Sequence, residues 1–409
     1  MAFPTSGLVN NLVHKEGNRS FVYDSATGVW DRVREADTSN LDIQSGTIGP
    51  LVTGGAGLVT TPHRNMVING DMKIAQKGTS VTGVGIDDYG SPDRYRNVSY
   101  SGSEAGRLTS TQTTITDLAG FTKGHKMQVT TADTSVAATD MSQMSQRIEQ
   151  QDIEHIGVGT AGAKAFTFSF YARANAPITL CAGVGMGGTS GAFFTEKAIT
   201  TSWQRFEVNM PATTVSSHKS AISSAIGVGM EVFIMLYAGS NLNTGTNSTW
   251  AAPANYVGRC NTNQGNFYSS TSNWLETTGW QLELGSTATP FEHRSFADEL
   301  TRCQRYYCEP LANGACFVSG QNGASHMLAA LPIPVPMRAA PNLTVAGTWH
   351  FLKTNGYSNS TATPPLTYDY IANNIQLGGN GGGTFSNGQD MHTGSVYIGN
   401  STWKFDAEL

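Results

Sequence analysis

Residues 165–174, AFTFSFYARA, alternate ring and polar side chains: Phe166, Phe168 and Phe170 fall on one side, Thr167, Ser169 and Tyr171 on the other. Side chains in a strand point to opposite faces with period two, so this run predicts a strand whose phenylalanine face is buried. Lys126–Thr130, Met144–Ile148, Ile178–Val184, Trp203–Met210, Met230–Tyr237 and Trp280–Leu284 repeat the pattern. NMVINGDMKIAQKG, from Asn65, predicts a first strand turning at Asn69-Gly70, and another starts near Tyr95. Short strands at this density, separated by glycine-rich turns, predict a β-sandwich with Trp203 and Trp280 in its core.

A chain of 409 residues is too long for one ordinary core and predicts two or three domains. Charged residues make up 13 %, about half the usual share of roughly 25 %, which suits neutral, hydroxyl-rich surfaces or surfaces covered by other subunits. The net charge of −5, with no stripe of Lys and Arg, argues against a nucleic-acid partner. The most apolar run, Ala225–Gly239, is interrupted by Glu231 and is shorter than the roughly 18–20 residues that span a bilayer, and MAFPTSGLVNN is not a secretory signal. A soluble protein without membrane insertion is expected. Cys181, Cys260, Cys303, Cys308 and Cys316 are odd in number and contain no CxxC pair, so free buried thiols in a protein made in cytoplasm are expected.

Five regions follow along the chain. Residues 1–35 form a small module around a hairpin, RSFVYDSATGVW, whose turn chemistry lies at Asp24–Gly28 and whose second strand is Val29–Val33. So small a unit is marginal alone and is expected to fold against partner chains. Residues 36–64, rich in Gly, Thr and Ser, read either as a tether or as a stem in which three copies intertwine, with Leu41, Ile43, Ile48, Leu51 and Val52 turned inward. Residues 65–294 are the sandwich. Residues 295–308 form a short helix: Ser295 stands three residues before Asp298 as an N-cap, Phe296, Leu300, Cys303 and Tyr307 follow at helical spacing, and Pro310 prevents continuation. In residues 309–409 LPIPVPMRAAP predicts an extended crossing segment, and alternating runs after it predict a small distal β-domain.

Several of these segments also stand in a characteristic order. NMVINGDMKIAQKGTS, PDRYR, SQRIEQQDIEHI, FTFSFYARA, SWQRFEV, GWQLELG, ATPFEHRS and ADELTRCQRYY, spread over roughly residues 65–308, resemble the carbohydrate-binding-like jelly-roll of bacteriophage tail fibres and related virion proteins. The Pro-Met-Arg segment and the final FDAEL resemble the ends of such proteins. The resemblance implies an all-β protein: an N-terminal virion-attachment module at 1–35 meeting other tail or baseplate proteins, a jelly-roll body, a distal C-terminal domain and a homotrimer in the virion tail. It implies binding to a host cell-surface polysaccharide. The alternative is a purely structural spoke, connector or capsid decoration, and a polysaccharide depolymerase is a third reading.

No catalytic or metal constellation is legible, and neither a cofactor nor an enzymatic activity is expected. The nine histidines are scattered singly, without HExxH, and GVGMGGTSG at 183–191 lacks the spacing of a phosphate loop. Asp87 with Asp88, or Glu149 with Asp152, are the acid pairs a glycosidase would need, and nothing in their spacing brings either across a cleft. Sugars are held by aromatic faces among hydrogen-bonding groups. Residues 241–278, a loop longer than an idle connection, carry Trp250, Tyr256, Phe267, Tyr268 and Trp274 among Asn, Ser and Thr, as candidate contacts to a glycan or to a neighbouring subunit. Tyr357, Tyr368 and Tyr370 are the corresponding candidates in the distal region.

Overall fold

The computed structural model describes residues 64–85, 88–99, 105–188, 190–252, 256–309, 333–344 and 404–409 in full, and the backbone alone of the strands within 13–33, 315–332 and 345–403. The chain divides into two units, Met1–Thr60 and Thr61–Leu409. In the first, β1 (Val13–Glu16), β2 (Arg19–Asp24) and β3 (Val29–Val33) make an antiparallel sheet in that order. The expected hairpin is β2–β3, with Tyr23 opposite Trp30, and β1 adds a strand that the sequence reading lacked. The stem candidates Leu41, Ile43, Ile48, Leu51 and Val52 lie outside the described residues.

The second unit opens with the sandwich. Its strands are β4 (Ser80–Val84), β5 (Asp88–Tyr89), β6 (Arg96–Ser99), β7 (Arg107–Thr114), β8 (Lys123–Thr131) and β9 (Met141–Glu149), followed by one turn of helix, α1 (Gln150–Ile153). Then come β10 (Phe166–Ala174), β11 (Ile178–Met186), β12 (Ala192–Ile199), β13 (Gln204–Met210), β14 (Val228–Ala238) and β15 (Trp274–Leu284). One six-stranded antiparallel sheet runs β13-β10-β15-β8-β7-β4, the other β12-β11-β14-β9-β6-β5. Phe166, Phe168 and Phe170 from the first and Leu180, Val232 and Ile234 from the second are fully buried in one shared core. Trp280 is its centre, fully buried and edge-on to Tyr95 and Phe168, each 5.1 Å away.

Residues 64–77 do not form the expected first strand. Asn69 and Met72 take positive φ (57° and 60°), and the Asn69 side chain holds the turn, its Nδ2 donating to the Ile74 carbonyl while its Oδ1 accepts from the Ile74 N–H, both at 2.9 Å. An amide side chain that replaces backbone pairing in this way favours a turn over a ladder. Gly70 is required here, because a Cβ would lie 2.2 Å from the Trp280 carbonyl oxygen.

Helix α2 (Phe296–Gln304) is capped as expected, the Ser295 hydroxyl accepting from the Asp298 N–H at 3.1 Å. Its buried residues are Glu299 and Cys303, whereas Phe296 is 59 % exposed and Tyr307 belongs to the next strand. The expected apolar stripe is therefore displaced: an internal ion pair between Arg294 and Glu299, at 2.5 Å, lets the acid take a core position. After β16 (Tyr307–Cys308) come β17 (Ala315–Gln321), β18 (His326–Pro332), β19 (Asn342–Lys353), β20 (Gly356–Ser360), β21 (Leu366–Ile371), β22 (Asn374–Asn380) and β23 (Ser395–Asp406), in the order β20-β19-β23-β17-β18-β22-β21, with β16 on β23. Of the expected crossing segment, residues 331–341, only 333–341 are non-strand; Leu331 and Pro332 instead end β18, paired with Ile375 and Asn374 of β22.

The end of β23 returns to the sandwich. Phe405 is fully buried, the Ala407 N–H donates to the Tyr306 carbonyl at 2.7 Å, and Arg338 donates to the main-chain oxygens of Ala407 (2.9 Å) and Glu408 (3.1 Å). The Leu409 main-chain oxygen accepts from Tyr89 Oη and Arg147 Nη1, both at 2.7 Å. Among the described residues no helix is long and apolar enough to cross a membrane.

Candidate functional site

The two sheets have differently treated outer faces. On the second sheet, outward Val98, Met141, Cys181, Phe194, Phe233 and Met235 form a separate small core with Leu242 and Cys260 from the long loop. The loop is pinned there by charge. Arg259 Nη1 lies 2.8 Å from Glu231 Oε2 on β14, the other Glu231 oxygen accepts from Ser145 Oγ at 2.8 Å, and Arg259 packs over the rings of Tyr256 (4.3 Å) and Phe233 (5.4 Å). Burial raises the Glu231 pKa, but Arg259, Arg147 and Arg96 outweigh it and draw it down to about 2. Gly185 makes room, since a Cβ there would stand 2.4 Å from Arg259 Nη2. Burial pushes the Cys181 thiol up to about 12 and Cys260 higher still, so these are unreactive packing groups. Cys181, Cys260, Cys303 and Cys308 are all free and buried.

This arrangement locates the loop aromatics. Phe267 and Tyr268 are each 1 % exposed and belong to the sandwich core, so they offer no face to a ligand. Tyr256 is half-buried against Arg259. Trp250 is half-buried, stacked on His218 at 5.6 Å, and its Nε1 donates to the Pro211 carbonyl at 2.8 Å, which makes it an anchor of the loop. Trp274 is not in the loop at all but begins β15. Tyr357 lies on β20 and Tyr368 and Tyr370 on β21, the two edge strands of the C-terminal sheet, so that sheet does not set the three side by side; their side chains lie outside the described residues.

On the first sheet one end of the outer face is closed. After β15 the chain folds back, so that Glu292 N–H donates to Gln281 Oε1 at 2.7 Å and Thr289 N–H to Glu283 Oε1 at 2.8 Å, while Phe121 packs 5.1 Å from both Tyr171 and Phe291. The other end carries a strip of alternating cations and indoles. Arg173 on β10 sits 4.6 Å from the ring centroid of Trp203 and 6.0 Å from that of Trp274, and Lys126 on β8 holds its ammonium 4.9 Å over Trp274. Both tryptophans and both cations are half-buried.

Arg173 is neutralised in place. Its Nε and Nη2 reach Glu276 Oε2 at 2.9 and 2.7 Å, and its Nη1 reaches Asp117 Oδ2 at 2.5 Å. Trp203 Nε1 donates to the other Asp117 oxygen at 3.1 Å; that bond first, and Arg173 after it, hold the Asp117 carboxyl below its usual pKa. Glu276 also accepts from Thr113 Oγ1. Lys126 makes no ion pair with a described residue. Beyond it the face continues in hydroxyls: Thr111 is the cross-strand partner of Lys126, and Ser80 Oγ lies 3.0 Å from Thr111 Oγ1.

Trp203 was thus expected in the core and stands instead on this outer strip. It precedes β13 rather than lying within it, so the strand's alternation does not apply to it. Arg173 and Lys126 carry a sequence signal, as the outward positions of AFTFSFYARA and of the run Lys126–Thr130, though nothing in sequence brings them together. Of the acid pairs, Glu149 accepts both Arg305 Nε and Nη2 at 2.9 Å and Tyr306 Oη at 2.6 Å in full burial, so it is committed to structure. Asp88 accepts the Gly85 N–H at 3.0 Å, and Asp87 lies outside the described residues. Among the described residues no three His, Cys, Asp or Glu side chains are grouped to hold a metal ion.

No family model and no curated protein matches the chain. Among solved structures it is similar to the enzymatically active domain of tailspike protein 4 of bacteriophage CBA120, at 10 % identity and TM-score 0.27, over 55 % of this chain and 22 % of that one. It is also similar to the family 11 carbohydrate-binding module of cellulase Lic26A-Cel5E of Clostridium thermocellum (11 %, TM-score 0.25, 53 % of this chain and 98 % of that one). A third is TmCBM61 in complex with β-1,4-galactotriose (10 %, TM-score 0.26, 54 % and 99 %). The chain spans about a fifth of the tailspike domain's length, and with TM-scores this low none of the three carries an inference.

Proposed function

We propose that this chain is a virion adhesin, a phage tail fibre or tail-associated protein, which binds a host surface glycan without cleaving it. The observation that carries the reading is the asymmetry of the sandwich: its own loop seals one outer face, and the other keeps two half-exposed indoles, Trp203 and Trp274, among hydrogen-bonding groups on rigid strands. Indoles fixed by neighbours lose little entropy on contact and supply flat apolar area to the C–H faces of a sugar ring, while the surrounding amides and hydroxyls bond its oxygens. Strands position such groups better than loops do. Commitment of Glu149 to Arg305 and Tyr306 supports binding over hydrolysis. The tail location, the homotrimer and attachment through residues 1–35 are supported by the ordered motifs of the sequence and by the 13 % charge. Three copies would raise avidity over one weak site.

The test is retention of the full chain on purified host surface polysaccharide, compared with Trp274→Ala. Removing a central aromatic anchor is expected to cost about 2 kcal/mol, roughly thirty-fold in affinity, with thermal unfolding little changed. Unchanged retention in that variant would reject this face. A protein that binds no polysaccharide but remains bound to the particle would favour the structural reading.

A further inference from the structure

We infer that the ligand of this face is an acidic glycan, one bearing a carboxylate, sulfate or phosphate, and that Lys126 is the residue that reads its charge. The inference rests on the glycan-binding reading above and adds the substrate class to it. Across the strip, Arg173, Glu276 and Lys126 occupy one row of register on β10, β15 and β8. The row holds two cations and one carboxylate, and although Asp117 balances the sum, both acids pair with Arg173. Glu276 is consumed by Arg173 and Thr113, Arg173 is closed further by Asp117, and Lys126, though opposite Glu276 in register, packs on the Trp274 ring and forms no ion pair with a carboxylate among the described residues.

A lysine stem at a surface ordinarily swings freely with its head in water. Here the ring of Trp274 holds the ammonium 4.9 Å from its centroid, which fixes a positive charge beside an aromatic platform before any ligand arrives. An anion reaching it meets charge-assisted hydrogen-bond donors that are already in place. On the far side of Lys126 the face is neutral: Thr111 opposite it and Thr109 opposite Gln128 on β7, then Ser80 on β4. From β15 to β4 is three inter-strand steps, about 14 Å, which accommodates a short run of sugar rings lying across the strands. A neutral glycan would leave the ammonium desolvated and unpaired, so the same residue selects against it.

The experiment is binding of the full chain to an array of neutral, carboxylated, sulfated and phosphorylated glycans, with a poly-glutamate peptide printed alongside, repeated with Lys126→Gln. The expected result is retention confined to acidic glycans, at least ten-fold weaker in Lys126→Gln and weakened by added salt; which class is retained identifies the anion. Retention of neutral glycans alone, or undiminished binding by Lys126→Gln, overturns the inference and leaves the glycan-binding reading standing. Equal retention of poly-glutamate overturns the requirement for a sugar. Retention of no glycan overturns both readings.

Discussion

Arg94 and Glu408, 314 residues apart, form an ion pair inside the protein: the guanidinium of Arg94 is 3.4 Å from the ring centroid of Tyr306 and ends on the Glu408 carboxylate, with the two side chains 1 % and 4 % exposed. Arg94 Nη2 also donates to the Arg147 carbonyl at 2.8 Å. Burial disfavours the charge, yet Glu408, acting together with Tyr306, Tyr89 and Cys303, outweighs it and raises the Arg94 pKa. The pair thus locks the end of β23 to the turn before β6.

Breaking that pair from one side leaves a buried charge without its partner. Glu408→Gln is expected to cost about 3–5 kcal/mol, whereas Arg94→Met combined with Glu408→Gln regains part of that loss because no buried charge remains. Urea unfolding of the single and double variants measures both. Equal costs for the single and double variants would show that packing at Tyr306, not the charge, matters.

His125 makes the fold acid-sensitive. It is fully buried on the inner face of β8, its Nε2 2.7 Å from Ser110 Oγ, and burial draws its pKa down to about 3 from 6.5. Between those values the unfolded chain binds a proton that the folded chain refuses, so stability falls as pH drops from 6.5 toward 3, with a slope approaching about 1.4 kcal/mol per unit. His125→Gln is expected to remove this component while leaving the carboxylate contribution. Unfolding curves at pH 7 and pH 4.5 give the difference; the same pH loss in both proteins would refute it.

Much of the sandwich was readable because its buried faces obey period two, as at Phe166, Phe168 and Phe170. Reading failed where the period breaks. Along β15, Leu275 and Thr277 point inward and so do Trp280 and Leu282, a change of parity made by one extra residue at Gly279. From sequence only the half after Gly279 reads as strand, which left Trp274 in a loop. Alternation marks Arg173 and Lys126 as outward, but the strip's assembly has no local signature, since Asp117, Lys126, Arg173, Trp203 and Glu276 meet only after five segments come together. Polarity misled in the loop: Phe267 and Tyr268 sit among Asn and Ser yet are buried, because their backbone is satisfied by Asn266 Oδ1, which accepts from Tyr268 N–H at 2.9 Å, and by Asn273 Nδ2, which donates to the Phe267 carbonyl at 2.9 Å.

The clasp between loop and second sheet is expected to be the loop's weakest point. Arg259→Ala leaves Glu231 buried with Arg147 at 3.8 Å as its remaining ion-pair partner, at a cost of about 3 kcal/mol or more. The variant should expose sites within 239–273 to protease at concentrations that spare the native chain, and its stability should fall as pH rises above the carboxyl range, where Glu231 ionises. A digestion pattern unchanged from native would mean that the apolar contacts of Phe233, Leu242 and Cys260 alone hold the loop.

Gly279 couples the core to the proposed binding face. Its φ of +64° is costly for any residue with a Cβ, and a Cβ there would meet the rings of Phe121 at 2.8 Å and Tyr171 at 2.9 Å. Gly279→Ala therefore strains the bulge that lets Trp280 point inward while Trp274 points outward on the same strand. The expected loss is about 1–2 kcal/mol in unfolding free energy. Glycan retention should weaken beyond what the unfolded fraction explains, because relief of the strain shifts Trp274 relative to Lys126 and Arg173. Thermal unfolding together with retention at a temperature where the variant stays folded separates the two effects. A stability loss with full retention would show that the strip's geometry does not depend on the bulge.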